Sequence, residues 1–112
     1  MVTMNPSIKR GSAELAVLAV LEQQPLHGYE IARRIEQESD GALRFTLASL
    51  YPLLYRMEKR GWTKATWETT PAGVRRRCYG LTAKGVKQLG ATRLEWDAFF
   101  QALSRVGGLS RA

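Results

Sequence analysis

The stretch WTKATWETTPAGVRRRCYGLT, residues 62–82, changes the rhythm of the chain. Upstream of it, apolar residues recur at helical spacing. Here β-favouring residues alternate with period two on both sides of Pro71-Ala72-Gly73, which has the composition of a turn. Two short strands around a turn make a hairpin. In the returning strand Tyr79 and Leu81 share a face suited to pack inward, and Trp62 and Trp67 are expected to cover that inner face as core. A single hairpin is marginal in water, so the segments on either side must supply the body it rests on.

Immediately before it lies TLASLYPLLYRMEKRG, residues 46–61. At about 100° per residue, Leu47, Leu50, Leu53, Leu54 and Met57 fall on one face of a helix capped by Thr46. Ala48, Ser49, Pro52, Tyr55, Arg56 and Lys59 occupy the opposite face, with Arg60 beside them; Pro52 is expected to kink or tighten the helix. A second helix is expected from about His27-Gly28, with Ile31, Ala32 and Ile35 inward and Ser39-Asp40-Gly41 as its stop. Before Gln24-Pro25 runs AELAVLAVLEQQ, apolar nearly all round and therefore a buried helix, with Ser12 as its expected cap. After the hairpin, Thr82 caps a last helix that reaches about Arg105. The reading is mainly α with a two-stranded β wing, in the order helix-helix-helix-strand-strand-helix, a winged helix-turn-helix. Its expected divisions are a flexible leader over 1–10, a DNA-binding winged helix-turn-helix over 11–81, a dimerisation helix over 82–106 and a disordered tail over 107–112.

The charge is concentrated where the wing is. The chain of 112 residues carries a formal net charge of +7. Between Arg56 and Lys87 lie nine cations (Arg56, Lys59, Arg60, Lys64, Arg75, Arg76, Arg77, Lys84 and Lys87) against Glu58 and Glu68 alone, so this segment accounts for all of it. A charge run by itself is usually a solvated surface. One that coincides with a helix face lacking acids points to double-stranded DNA. The small residues at that helix's start admit close approach to the major groove. Cations at its end and on the wing would meet phosphates, which set affinity and register but carry no sequence information.

Other classes find less support. The longest apolar run, Leu15 to Leu21, is too short to span a bilayer, and the cations lie on a hairpin instead of along an amphipathic membrane helix, so no membrane partner is expected. The N-terminus lacks the apolar stretch of a secretory signal, and one cysteine, Cys78, closes no intrachain disulfide; both fit a cytoplasmic protein. His27, the only histidine, has no evident companion ligand or nucleophile set. No catalytic residue, metal or cofactor is expected, and His27 is read as structural at a helix start. Cys78, among wing cations that would lower its pKa, is read as a small strand residue in preference to a redox switch.

Three motifs in order, PLHGYEIARRIE (25–36), LYPLLYRMEKRGW (50–62) and RRRCYGLTAKG (75–85), resemble the PadR family of bacterial transcriptional regulators. The resemblance covers about Gly11 to Leu89, and the short C-terminus resembles the family's compact branch, with a single dimerisation helix. It implies a homodimeric winged-helix repressor whose third helix enters the major groove. Where the family usually has Pro-Gly-Thr before Leu-Tyr-Pro, this chain has Leu47-Ala48-Ser49. The expected DNA-contacting residues are Tyr29, Ser49, Tyr51, Pro52, Tyr55, Arg56, Lys59, Arg75, Arg76 and Arg77, with the arginine triplet on phosphates and Ser49 and Tyr55 altering base preference.

In the last helix Leu89, Trp96 and Leu103 recur every seven residues, as do Val86, Arg93 and Phe100. Leu15, Leu18, Leu89, Trp96, Phe100 and Leu103 are the expected dimer interface. Two-fold symmetry would bring two Trp96 side chains together, and Trp96, Phe99 and Phe100 would then suit a planar apolar effector, although plain interface packing is the simpler role for Trp96. The rival to a DNA-binding repressor is a winged-helix protein–protein adaptor, which would have no need of an acid-free basic face.

Overall fold

A computed structural model describes residues 6–109, with side chains described from residue 11. The order of elements is α1 (Pro6–Gln23), β1 (Leu26–His27), α2 (Gly28–Glu38), α3 (Leu47–Lys59), β2 (Thr63–Thr69), β3 (Arg75–Leu81) and α4 (Ala83–Gly107). The helical order and the hairpin are as the sequence predicts. The sheet differs: it has three antiparallel strands in the order β1-β3-β2, because Leu26 and His27 pair with Tyr79 and Cys78. A two-residue strand shows no readable alternation, so the pattern could not announce it.

Helix α1 begins at Pro6, ahead of Ser12, so the second half of the expected leader is helical, while residues 1–5 lie outside the described residues. Proline is at ease at a first helical position because its missing N–H is not needed there. Ala13, Val17, Leu18, Val20 and Leu21 of α1 are buried, and the helix packs against α2, α4 and β3. Helix α2 starts with a capping box: the Glu30 carboxylate accepts the His27 backbone N–H at 3.2 Å and contacts His27 Nδ1. His27 thus stands at the N-cap of α2. The helix stops at Ser39, where Asp40 (φ 51°) and Gly41 (φ 81°) turn left-handed and the Gly41 N–H donates to the Glu36 carbonyl at 2.8 Å.

Thr46 and Thr82 cap α3 and α4, accepting from the backbone N–H of Ser49 and Gly85 at 3.1 and 3.0 Å. In α3, Leu50, Leu53, Leu54 and Met57 are buried, and the helix continues through Pro52, which sits on its exposed side. Gly85 is where α4 meets the wing: a Cβ there would lie 2.0 Å from the Trp62 carbonyl oxygen. Beyond Thr92 no described residue of α4 is buried, and the helix reaches a Gly108 cap with φ 66°. Gly107, assigned by the sequence to a tail, is still helical, and residues 110–112 lie outside the described residues.

Two expected interface residues are misassigned. Leu18 and Leu89 are fully buried in the chain's own core, and Leu15 is half-buried against it. Leu18 and Leu89 pack within the domain and leave nothing of themselves for a partner to cover.

Candidate nucleic-acid interface

The strand pattern aims the wing's side chains. Register pairs Thr63 with Leu81, Ala65 with Tyr79 and Trp67 with Arg77, so these residues share one sheet face. Near the body of the domain that face is core: Thr63 and Tyr79 are buried and Ala65 is half-buried. Farther out the hairpin outruns the core, and Trp67 is 59% exposed. Trp67 is therefore not the core residue the alternation suggested, whereas Trp62 does pack against the core. The Arg75 and Arg77 guanidiniums lie 4.8 and 5.8 Å from the Trp67 ring centroid, within cation–π range.

The three arginines differ in what they touch. Arg77 reaches back to α3, where its Nη2 donates to both Glu58 oxygens at 3.0 and 3.2 Å, and its guanidinium lies 5.6 Å from the Tyr79 ring centroid. Arg77 thus braces the wing against α3, a contact that the expectation of three phosphate-directed arginines does not include. Arg75 and Arg76 are exposed and, among the described residues, make no ion pair. The brace also turns Glu58, the one acid on α3, toward the wing. Ala48, Ser49, Tyr51, Pro52, Tyr55, Arg56 and Lys59 are all exposed, so the outer face of α3 is free of outward acids as predicted. Lys59 Nζ sits 5.3 Å over the Tyr55 ring. Arg60 is turned away toward Glu14 at 3.5 Å. The Ser49 hydroxyl donates to the Thr46 carbonyl at 2.9 Å, which leaves its lone pairs open to a base edge.

Tyr29, 64% exposed, and Tyr51 stand at the mouth of a cleft between the start of α2, helix α3 and the wing, lined also by Trp67, Arg75 and Arg76. Gly28 is what lets α2 come so close: a Cβ there would be 3.0 Å from the Tyr51 ring. The cleft, lined also by Glu30 and Arg77, sets aromatic rings beside the exposed Arg75 and Arg76 guanidiniums, a combination suited to a sugar–phosphate backbone. The aromatic side of this cleft was missed in Trp67, although its place opposite Arg77 followed from counting the strands from their turn.

Cys78 does not behave as its neighbouring cations suggest. Burial, reinforced by the nearby Glu68 carboxylate, pushes its thiol up from the ordinary value. His27 lies opposite it on β1, with Nε2 2.9 Å from Glu68 Oε2.

At the far end of the chain, Phe99 (48% exposed), Phe100, Leu103 and Val106 form an exposed apolar stripe on α4 at helical spacing. Trp96 is only half-exposed; its ring packs beside Gly11 of α1, where a Cβ would lie 3.2 Å away. Trp96, Phe99 and Phe100 touch one another, with ring centroids 5.6–6.0 Å apart. The aromatic group is real, but its tryptophan first serves its own chain.

No described helix is long and apolar enough to cross a membrane. Residues 17–91 match the family described as "Transcriptional regulator PadR-like family". An uncharacterized protein of Lysinibacillus sphaericus is 27% identical over 89 residues, which are 80% of this chain and 82% of that protein. Among solved structures, a transcriptional regulator from Clostridium thermocellum is similar with a TM-score of 0.83 at 24% identity, covering 92% of this chain and 97% of the other. A PadR-like transcriptional regulator from Bacillus cereus gives 0.78 at 24% identity, covering 93% and 99%. At these identities the two structures speak for the fold, a winged helix over nearly the whole chain.

Proposed function

This chain belongs to the PadR-like family of transcriptional regulators, and from that premise we propose that it is a cytoplasmic repressor that binds double-stranded DNA as a homodimer. The observation that carries the proposal is the exposed outer face of α3, from which the only acid is withdrawn by Arg77 while Arg56 and Lys59 stay outward. Helix α3 would lie in the major groove, with Tyr55 and Ser49 toward base edges, and Arg75, Arg76, Tyr29 and Tyr51 would follow the backbone. The role is one of binding, with no residue assigned a catalytic step. An adaptor function would leave the acid-free face without a purpose.

The second subunit would cover the α4 stripe of Phe99, Phe100, Leu103 and Val106, which a solitary monomer would expose. Two-fold pairing places two recognition helices on half-sites about one helical turn apart, hence a pseudo-palindromic operator. A planar apolar effector, if one acts here, would meet Phe99 and Phe100 at that seam and shift the spacing of the two α3 helices. Selection from random DNA followed by titration of the recovered sequence at rising salt tests the proposal. We expect a palindrome whose affinity falls steeply with salt; binding indifferent to salt, or equal on every sequence, overturns it.

A further inference from the structure

Where β1 joins the hairpin, strand pairing brings together three side chains that the sequence keeps 41 and 10 residues apart: His27, Glu68 and Cys78. Register explains how. Cys78 pairs with His27 on β1 and with Thr66 on β2, and Glu68 lies two residues along from Thr66, so all three project from one sheet face. Their ligating atoms lie within 4.8 Å of one another. The sequence reading found no companion for His27 because its companions arrive only through strand pairing.

We propose that this cluster is a binding site for a divalent transition-metal ion of the zinc class, ligated by His27 Nε2, the Cys78 thiolate and the Glu68 carboxylate. Four features support it. The donor set of imidazole, thiolate and carboxylate is the one zinc-class ions take, whereas calcium and magnesium prefer all-oxygen sites. Glu30 already holds His27 Nδ1, which fixes the ring and leaves Nε2 directed at Glu68, the carboxylate–histidine arrangement that supports metal-bound imidazoles. Charge balances as well: Glu30, Glu68 and a Cys78 thiolate carry three negative charges, Arg76 beside them one positive, and a divalent ion brings the group to neutrality. Finally, the closure required is small. Ligands on tetrahedral zinc stand about 3.5 Å apart. Here His27 Nε2 is already 2.9 Å from Glu68 Oε2 and all three ligating atoms lie within 4.8 Å of one another, so only side-chain adjustments separate the cluster from a ligand set. Cys78 would give up its thiol proton to solvent on binding. A water would complete the fourth position. The ion would tie β2, and with it the wing, to the start of α2.

Cobalt is the probe, because a thiolate bound to Co2+ gives a charge-transfer band in the near ultraviolet. The chain has one cysteine and one histidine, so a band belongs to Cys78 without further assignment. Titrating the reduced full chain with Co2+ is expected to saturate at one equivalent with that band, and Zn2+ should displace it. Because Cys78→Ser in a buried strand position can disturb folding, the deciding variant is Glu68→Gln, on an exposed side chain, expected to weaken binding at least about tenfold. His27→Gln should do the same, and Glu30→Gln, removing a positioning residue, should weaken affinity about tenfold while the band persists. Absence of the band at stoichiometric Co2+, or affinity unchanged in Glu68→Gln and His27→Gln, overturns the site and leaves His27 and Glu68 as a simple hydrogen-bonded brace. The readout needs no DNA, so its failure and that of the proposed operator binding are separate results.

Discussion

The wing has a base and an outer end, and the same kinds of residue serve different purposes in each. At the base, Thr63, Cys78 and Tyr79 are buried, Trp62 offers its carbonyl to the Thr82 N–H at 3.1 Å, and Gly85 of α4 presses against that carbonyl. At the outer end, every described residue from Glu68 to Arg76 except Thr70 is exposed. Arg77 falls on the base side of this division and Arg75 and Arg76 on the other. Position relative to the limit of the core, and not residue type, decides whether a cation holds the fold together or remains available to a polyanion.

Two glycine substitutions should sharpen that contrast most. A methyl at Gly85 would collide with the Trp62 carbonyl, which is itself engaged by Thr82, so neither side can yield cheaply. Gly85→Ala is expected to lower stability by about 3 kcal/mol. In the turn, Gly73 has open space around it, and its only difficulty is a φ of 82°. Gly73→Ala should therefore cost about 1 kcal/mol. Chemical denaturation of both variants checks the order; equal losses would mean that base and outer end are not mechanically distinct.

Arg77 tests the same division with charge. Its side chain and that of Glu58 are each about one-third exposed (39% and 32%), so their attraction is partly screened by solvent. The guanidinium also covers the Trp67 and Tyr79 rings. Arg77→Ala is expected to cost about 1.5 kcal/mol from lost pairing and lost packing together. It should also free Glu58 at the edge of the α3 face. A thermal melt showing no change would remove Arg77 from the base and return it to the phosphate-binding set.

Much of this was legible in the sequence. The buried face of α3 and its acid-free outside followed from helical spacing, and both helix caps at Thr46 and Thr82 were readable because threonine at those positions satisfies a free N–H. Other features depend on packing that local pattern does not encode. Alternation placed Trp67 on the inner face correctly, yet nothing in it says how far along the hairpin the core extends. The same alternation puts Arg77 on the face of Tyr79 and Arg76 on the other, so the basic triplet divides by strand geometry and not by composition. For Leu18 and Leu89, helical periodicity marks residues that must be covered but cannot distinguish the chain's own core from a partner. The grouping of His27 with Glu68 and Cys78 required the two-residue strand β1, which no pattern announces.

The smallest effect on the fold, and the clearest on binding, is expected at Arg75 and Arg76. Neither makes an ion pair among the described residues, and Arg75 lies against an exposed Trp67 ring that would keep its hydration without it. Replacing both with Ala should leave stability within about 0.5 kcal/mol of the parent chain. If each neutralises one phosphate, the slope of log affinity against log salt should flatten by about 0.9 per residue removed. Since phosphates carry no sequence information, the loss should be nearly the same on operator and on random duplex. Arg77→Ala provides the contrast: a stability loss with little change in salt slope. Were the double variant to relax base preference while preserving the slope, the outer end of the wing would be reading bases, and the separation between a phosphate-holding wing and a base-reading α3 would fail.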